Sequence, residues 1–263
     1  MLKRELKINL KSFIIWSSIL IGLSCVIVLI YPYIINTENM ESMEDMLKMF
    51  PEEVLKAFNM DLASIDNPFG WLKTEGFVFI LLIITCYSAI LGSNILLKEE
   101  SDKTIEYLNM LPITRNNTII KKSICGIFYI LLMIFLVGIL NFVALSIVQD
   151  FDVKQYLLLS ITPLFPSIVA FFLAMFISTF TNKTKKMLGV SLGIVFISYI
   201  LQTLSQISEK VEFLKYFSIF TLADIRNTIQ NIEINPVMVI ISIILAVIFF
   251  FATKINYNKK EFI

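Results

Sequence analysis

No histidine occurs anywhere in the 263 residues of the chain. That absence removes imidazole-based metal sites, general acid–base pairs and catalytic triads. Cysteine is scarce as well. Cys25, Cys86 and Cys125 each fall inside an apolar run, with no metal-ligand spacing and no disulfide framework. They read as small apolar packing residues. No Gly-x-x-x-x-Gly-Lys-Ser/Thr phosphate loop is present, so nothing in the chain is expected to hydrolyse ATP. The net charge is only +1, which points to neither nucleic acid nor an acidic substrate as a partner.

What the chain has is apolar length. Apolar residues make up 57% and mean hydropathy is +0.80. A soluble domain is apolar over about half its residues. A helix needs about 20 mostly apolar residues to cross a bilayer. Six runs qualify, at residues 13–35, 77–97, 123–148, 157–181, 187–207 and 237–253, and none contains Asp, Glu, Lys or Arg. The expectation is an all-α membrane protein, a single transmembrane domain over residues 1–263 with six spans. The first run follows Lys3, Arg4, Lys7 and Lys11, as in a signal peptide. Its apolar stretch is too long and ends in the bulky "YPYII", so it reads as a retained anchor.

Charge sets the orientation. With six spans, both termini share one side. Four basic residues precede the first run, five lie between the second and third, three between the fourth and fifth, and three after the sixth. That is 15 of the 22; the other side holds seven basic and 15 acidic residues. The positive-inside rule places both termini in the cytoplasm.

The connections carry pattern of their own. In the external segment 36–73, Met43, Leu47, Phe50, Val54 and Phe58 form an amphipathic helical stripe. Pro51, followed by Glu52 and Glu53, looks like a helix start there. The external segment 208–236 contains "VEFLKYFSIFTLADI", too apolar for a free loop and expected at the interface or re-entering the outer leaflet. At the N-terminus, Leu2, Leu6, Leu10 and Phe13 form one face and the basic residues largely another. That predicts an amphipathic elbow helix on the inner membrane surface before the first span.

The cytoplasmic segment 98–122 includes "DKTIEYLNMLPITRNNTIIKK". Ser101 or Asp102 is a fitting helix cap. Thr104–Leu111 then gives about two turns with Ile105, Leu108 and Leu111 at steps of three. Pro112 stops that helix, and Thr114 and Asn116 are fitting caps for the third span. The result is a short coupling helix between two sharp boundaries, more than a linker requires; an ordinary solvated hairpin is the competing reading.

"EESDKTIEYLNMLPITR" resembles the coupling segment of ABC transporter permeases of the type-2 export class. Glu99, Glu100, Thr104, Ile105, Glu106, Leu108, Pro112, Ile113, Thr114, Arg115 and Lys122 match that pattern. Lys103 stands where the family commonly has Gly. "LKMFPEEVLKAF" is similar to the family's external helix after its first span, and "PFGWLKTEGFVFILL" to the start of its second. "FLKYFSIFTLADI" is similar to the segment before the sixth span, with Ile219 where proline is common.

The resemblance implies a bacterial, multi-pass cell-membrane protein. It would work as a pair of permease chains, identical or related, resting on separate cytoplasmic ABC ATPase subunits that hold ATP and Mg²⁺. It implies no catalytic residue and no cofactor or metal on this chain. Glu99, Glu100, Thr104, Ile105, Glu106, Leu108, Leu111, Pro112 and Arg115 would form the contact with the ATPase, with Ile105, Leu108 and Leu111 filling a groove. The spans carry scattered polar groups, among them Asn94, Asn141 and Gln202, which could line a substrate path. Such residues more often serve helix packing. An uncharged interior suits an amphipathic or hydrophobic cargo, and the small size resembles exporters of antimicrobial or toxin peptides.

Three other classes compete. Glu99–Glu100 near a span end is similar to the paired glutamates of polytopic prenyl-protein proteases, but those need histidine. An ion-coupled transporter or channel usually places ionisable groups within its spans, and the six runs have none. A purely structural membrane protein fits the composition, but not the coupling-segment match.

The charge split makes a direct prediction. In a background without native cysteine, single cysteines at Glu44 and Glu212 should react with an impermeant thiol reagent on intact cells. Cysteines at Asn116 and Asn182 should react only after permeabilisation. Labelling of Asn116 from outside would invert the topology.

Overall fold

The structure, a computed structural model, describes residues 1–34, 49, 68–105, 114–148, 150–207 and 209–260. Every regular element among them is helical. In order these are α1 (Leu2–Ile34), the single turn α2 (Pro68–Trp71), a π-helical turn (Leu72–Gly76), α3 (Phe77–Ser101) and α4 (Arg115–Val148). Then come α5 (Val153–Ile161), α6 (Leu164–Ser178), α7 (Thr184–Ile207), two 3₁₀ stretches (Glu209–Phe217 and Ile219–Ala223), α8 (Ile225–Asn231) and α9 (Pro236–Lys259). Six helical units are long and apolar enough to cross a membrane: α1, α3, α4, α5 with α6, α7 and α9. The stripe expected from Met43 to Phe58 lies outside the described residues, as do Glu106, Leu108, Leu111 and Pro112 of the expected coupling helix.

Local chemistry sets the helix starts. Asn235 Oδ1 accepts from the Val237 amide at 3.1 Å, and Pro236 occupies the first position of α9, where a missing N–H has no helical acceptor to lose. Asp152 Oδ1 accepts from the amides of Lys154 and Gln155 at 2.9 and 3.2 Å and starts α5. The fourth span breaks at Thr162–Pro163, between α5 and α6; Thr162 keeps helical dihedrals, but Pro163 has no amide N–H to continue the hydrogen-bond ladder. Pro166 does not break α6 again, since it lies in that helix's first turn.

The packing has a centre. Of the most apolar window of α3, 78% is buried, against between 17% and 28% for α1, α4, α7 and α9. α6 packs most extensively on α3, with α9 on the other side of α6; α7 and α4 also flank α3, and α1 lies against α4. Phe171 of α6 is wholly buried where α3 and α4 present glycines. A Cβ on Gly92 would run into the Phe171 carbonyl oxygen, and one on Gly126 into the Phe171 ring. Small residues that admit close backbone approach are how helices associate in lipid.

The first helix departs from expectation. No break separates the basic start from the first span; α1 is one helix of 33 residues. Its buried stripe is Glu5, Asn9, Phe13, Ser17, Leu20 and Ser24, while Leu10, Ile14, Ile15 and Ile19 are exposed. Polar groups thus turn inward and aliphatic ones outward. Lipid competes for apolar surface as well as protein does, so it is the polar groups that need protein partners.

Away from the termini, Phe69, Phe77, Phe142, Phe151 and Tyr156 pack as a ring cluster. The Tyr156 hydroxyl donates to the Gly138 carbonyl at 2.6 Å. Gln155 donates to the Ile229 carbonyl at 2.8 Å and accepts from Lys73 at 3.3 Å, which ties α8 to α5. The 3₁₀ stretches lie on α7 and α6. There Ser218 Oγ donates to the Ser198 carbonyl at 2.7 Å, and Phe220 and Leu222 are buried. Phe213, Tyr216 and Phe217 stay exposed. The hydrogen bond between Lys215 and Glu212, 2.6 Å, holds the carboxyl below its ordinary pKa and the ammonium above.

Gly92→Ala should therefore destabilise the bundle by about 1–3 kcal/mol, the usual cost of overpacking. Gly22→Ala, with no neighbour within 4 Å, should not. Unfolding in mixed detergent micelles measures both, and equal stabilities would show that the α3–α6 approach is slack.

Candidate functional site

The described flanks of the coupling segment meet at the end of the bundle that carries residues 1–5 and 257–260. α3 ends there in Lys98, Glu99, Glu100 and Ser101. Asp102 is its C-cap, and Lys103 takes the left-handed conformation at φ 54°. The Lys103 amide donates to the Glu100 carbonyl at 3.2 Å and the Thr104 amide to the Glu99 carbonyl at 2.8 Å. This is a Schellman termination, whose left-handed position favours glycine. The departure at Lys103 is thereby explained: the backbone keeps the glycine conformation and lysine adopts it. Ser101 and Asp102 were expected to begin a helix, but they end one. Thr114 does cap α4 as expected, accepting from the Asn117 amide at 3.3 Å.

The charged residues of these flanks do not all face solvent. Lys122 has no exposed surface, and Glu5 and Glu99 are 2% and 3% exposed. The Lys122 ammonium donates to both Glu99 carboxylate oxygens at 2.9 and 2.8 Å, to Glu5 Oε2 at 3.4 Å and to the Ile95 carbonyl. Arg4 approaches Glu99 Oε1 at 3.6 Å from the surface. Glu99 was expected to meet a partner; the structure turns it inward, joining α1, α3 and α4. Ile105 is likewise buried, at 6% exposed.

A second cluster gathers on the last turn of α9. Lys260 Nζ donates to both oxygens of Glu100 at 2.8 Å and to the Thr181 carbonyl at 2.9 Å. Arg115 Nη1 donates to the carbonyls of Asn258 and Lys260 at 3.0 Å and of Tyr257 at 3.4 Å. Those carbonyls belong to the last turn of α9, where the Tyr257 carbonyl also accepts from the Lys260 amide at 3.4 Å, and a cation at a helix C-terminus is stabilised by the dipole. Asn116, expected as a cap, instead accepts from Asn258 at 2.8 Å.

Of the nine expected partner-facing residues, Glu99, Glu100, Thr104, Ile105 and Arg115 are thus brought to one end of the bundle. Sequence reasoning missed Glu5, Tyr257 and Lys260 as their neighbours. Glu5 carried a signal, being the single acid among four basic residues at the N-terminus. The substrate-path residues separate. Asn141 approaches Ser24 Oγ at 3.5 Å and Gln202 accepts from Thr221 at 2.6 Å. Asn94 Oδ1 is buried without a hydrogen-bond partner. No group of three Cys, Asp or Glu side chains that could hold a metal occurs among the described residues.

Removing one member of a buried ion pair typically costs about 3–5 kcal/mol, because the other charge is stranded. Lys122→Met should therefore lower unfolding free energy by about that amount. Adding Glu99→Gln should recover part of the loss, and Lys122→Met as stable as the native chain would show the cluster to be energetically idle.

Neither the curated proteins nor the solved structures contain a match to this sequence. The family comparison is different in kind, because it covers nearly the whole chain. The sequence model of the ABC-2 family transporter protein matches residues 9–262, and the chain belongs to that family.

Proposed function

We propose that the chain is the permease subunit of an ATP-driven exporter, with its basic end in the cytoplasm of a bacterial cell. A separate ABC ATPase docks on residues 104–111, and two permease chains enclose one path. The supporting observation is the pair of charge clusters at that end. Each of the two flanks of the segment is bound to other spans by a bidentate carboxylate or by an arginine on helix carbonyls. A segment so fixed at both flanks can convert movement of a docked partner into movement of whole helices, as rigid bodies. No Asp, Glu, Lys or Arg lies in the apolar runs, where ion-coupled transporters usually place such groups.

The cargo is amphipathic or hydrophobic, with an antimicrobial or toxin peptide as the best fit. An apolar side groove of about 750 Å³ opens between α4 and α5, lined by Phe128, Leu131, Phe135, Phe142, Tyr156 and Leu157 among others, with Ser160 as a polar exception. Such a surface accepts an apolar side-chain face and offers nothing to a free ion.

Leu108→Asp puts a charge on the proposed docking face, and Glu106→Ala removes an orienting group. Losing one interface hot spot costs about 2 kcal/mol or more, roughly thirty-fold in affinity. Each variant should lose co-purification of the ABC ATPase partner, whereas the native complex should have the mass of two permeases with two ATPases. Undiminished association of Leu108→Asp at native expression would reduce the segment to a connecting loop.

A further inference from the structure

We infer that the last turn of α9 is a positioning element for the docking segment, with Lys260 as its key residue. The inference rests on the docking reading above. It goes beyond it by assigning a role to the sixth span, which that reading does not use.

The geometry is a clamp. Upstream of the segment, Glu100 sits in the last turn of α3; its carboxylate is held by both Lys260 bonds, at 2.8 Å each. The pair is shielded, with side-chain exposures of 9% for Lys260 and 6% for Glu100. Downstream, Arg115 is the first residue of α4, and its guanidinium takes three carbonyls of the same turn of α9. The Asn258–Asn116 bond adds a second contact on that side. One helical turn therefore holds the two flanks of residues 105–114 in a fixed relation to each other. Lys260 also binds the Thr181 carbonyl just after α6, which ties the clamp to the fourth span.

The rest of α9 makes this arrangement consequential. α9 packs chiefly on α6, and the central helix α3 has its main neighbours elsewhere. At this end the ion pair gives α9 a direct hold on α3. A force on the segment that displaces the end of α3 must carry α9 with it or break a shielded, bidentate pair. Lysine suits the position, since a compact ammonium with three donors can meet two carboxylate oxygens and a carbonyl together.

The test reads the segment directly. In a cysteine-free background, a single cysteine replaces Asn109. Its labelling rate by an impermeant maleimide is measured in inside-out membrane vesicles, and retention of the ABC ATPase partner is measured on the purified complex. Lys260→Met should raise the labelling rate at least threefold and weaken ATPase retention at least threefold. Lys260→Arg should keep both within twofold of native, and so should Lys259→Met, which removes an exposed lysine next door. An unchanged labelling rate in Lys260→Met would overturn the inference, as would Lys260→Arg behaving like Lys260→Met. The two failures are separable. If Leu108→Asp abolishes ATPase retention while Lys260→Met changes nothing, docking stands and the clamp falls. If Leu108→Asp has no effect on retention while Lys260→Met still changes labelling, the clamp stands and docking falls.

Discussion

A lysine ammonium without exposed surface needs acceptors on every side, and meeting that need at Lys122 organises one end of this molecule. An isolated charge in a low-dielectric setting is prohibitively costly, so burial is tolerable only with paired and hydrogen-bonded neighbours. The neighbours come from α1 through Glu5 and from α3 through Glu99 and the Ile95 carbonyl. Each contact fixes a rotation: α4 must point position 122 at α3, α3 must point 95 and 99 at α4, and α1 must bring position 5 between them. Apolar packing in a bilayer would accept many rotations, because lipid solvates leucine as well as another leucine does. The buried charge accepts far fewer.

The same logic explains why the chain appears inverted relative to a soluble bundle. α3 is enclosed by protein and carries the close approach of Gly92 to Phe171, while α1, α4, α7 and α9 turn rows of isoleucine, valine and phenylalanine outward. Inward positions on α1 are polar or small at Glu5, Asn9, Ser17 and Ser24, with Phe13 and Leu20 interleaved. Specific association then rests on shape, small residues and hydrogen bonds, and the outward apolar surface is left for lipid or for another span.

Much of this was legible in the sequence. Each of the six apolar runs falls largely in helix among the described residues, and the start of α4 at Thr114 follows from ordinary capping chemistry. The failures share one cause. Ser101 and Asp102 looked like an N-cap because their side chains are good caps, but a Schellman turn uses only backbone amides and a left-handed residue, and Lys103 gives no glycine signal for it. Leu2, Leu6, Leu10 and Phe13 looked like the apolar face of a separate surface helix, yet α1 runs unbroken from Leu2 to Ile34, with Phe13 buried and Leu10 exposed. Glu99 looked solvent-facing because its partner Lys122 is 23 residues away in sequence. Local pattern reports which residues sit near a span end; it does not report which of them pair across helices.

The division of labour within the chain follows from where its charges sit. The chain holds no Asp, Glu, Lys or Arg in its apolar runs and no phosphate loop. Its charged residues are instead concentrated at joints: Lys122 between three helices, and Lys260 and Arg115 where the sixth span meets the flanks of the coupling segment. These joints differ in their access to water. Lys122 is sealed, whereas Lys260 retains 9% exposure and lies beside exposed Lys259. Water is at hand to replace the outer pair's contacts as they part, whereas the inner cluster would have to separate in a dry interior, where charge separation is most expensive. On the proposed reading, in which a partner chain supplies the energy, the inner joint keeps three helices in register and the outer one passes an imposed displacement to a fourth.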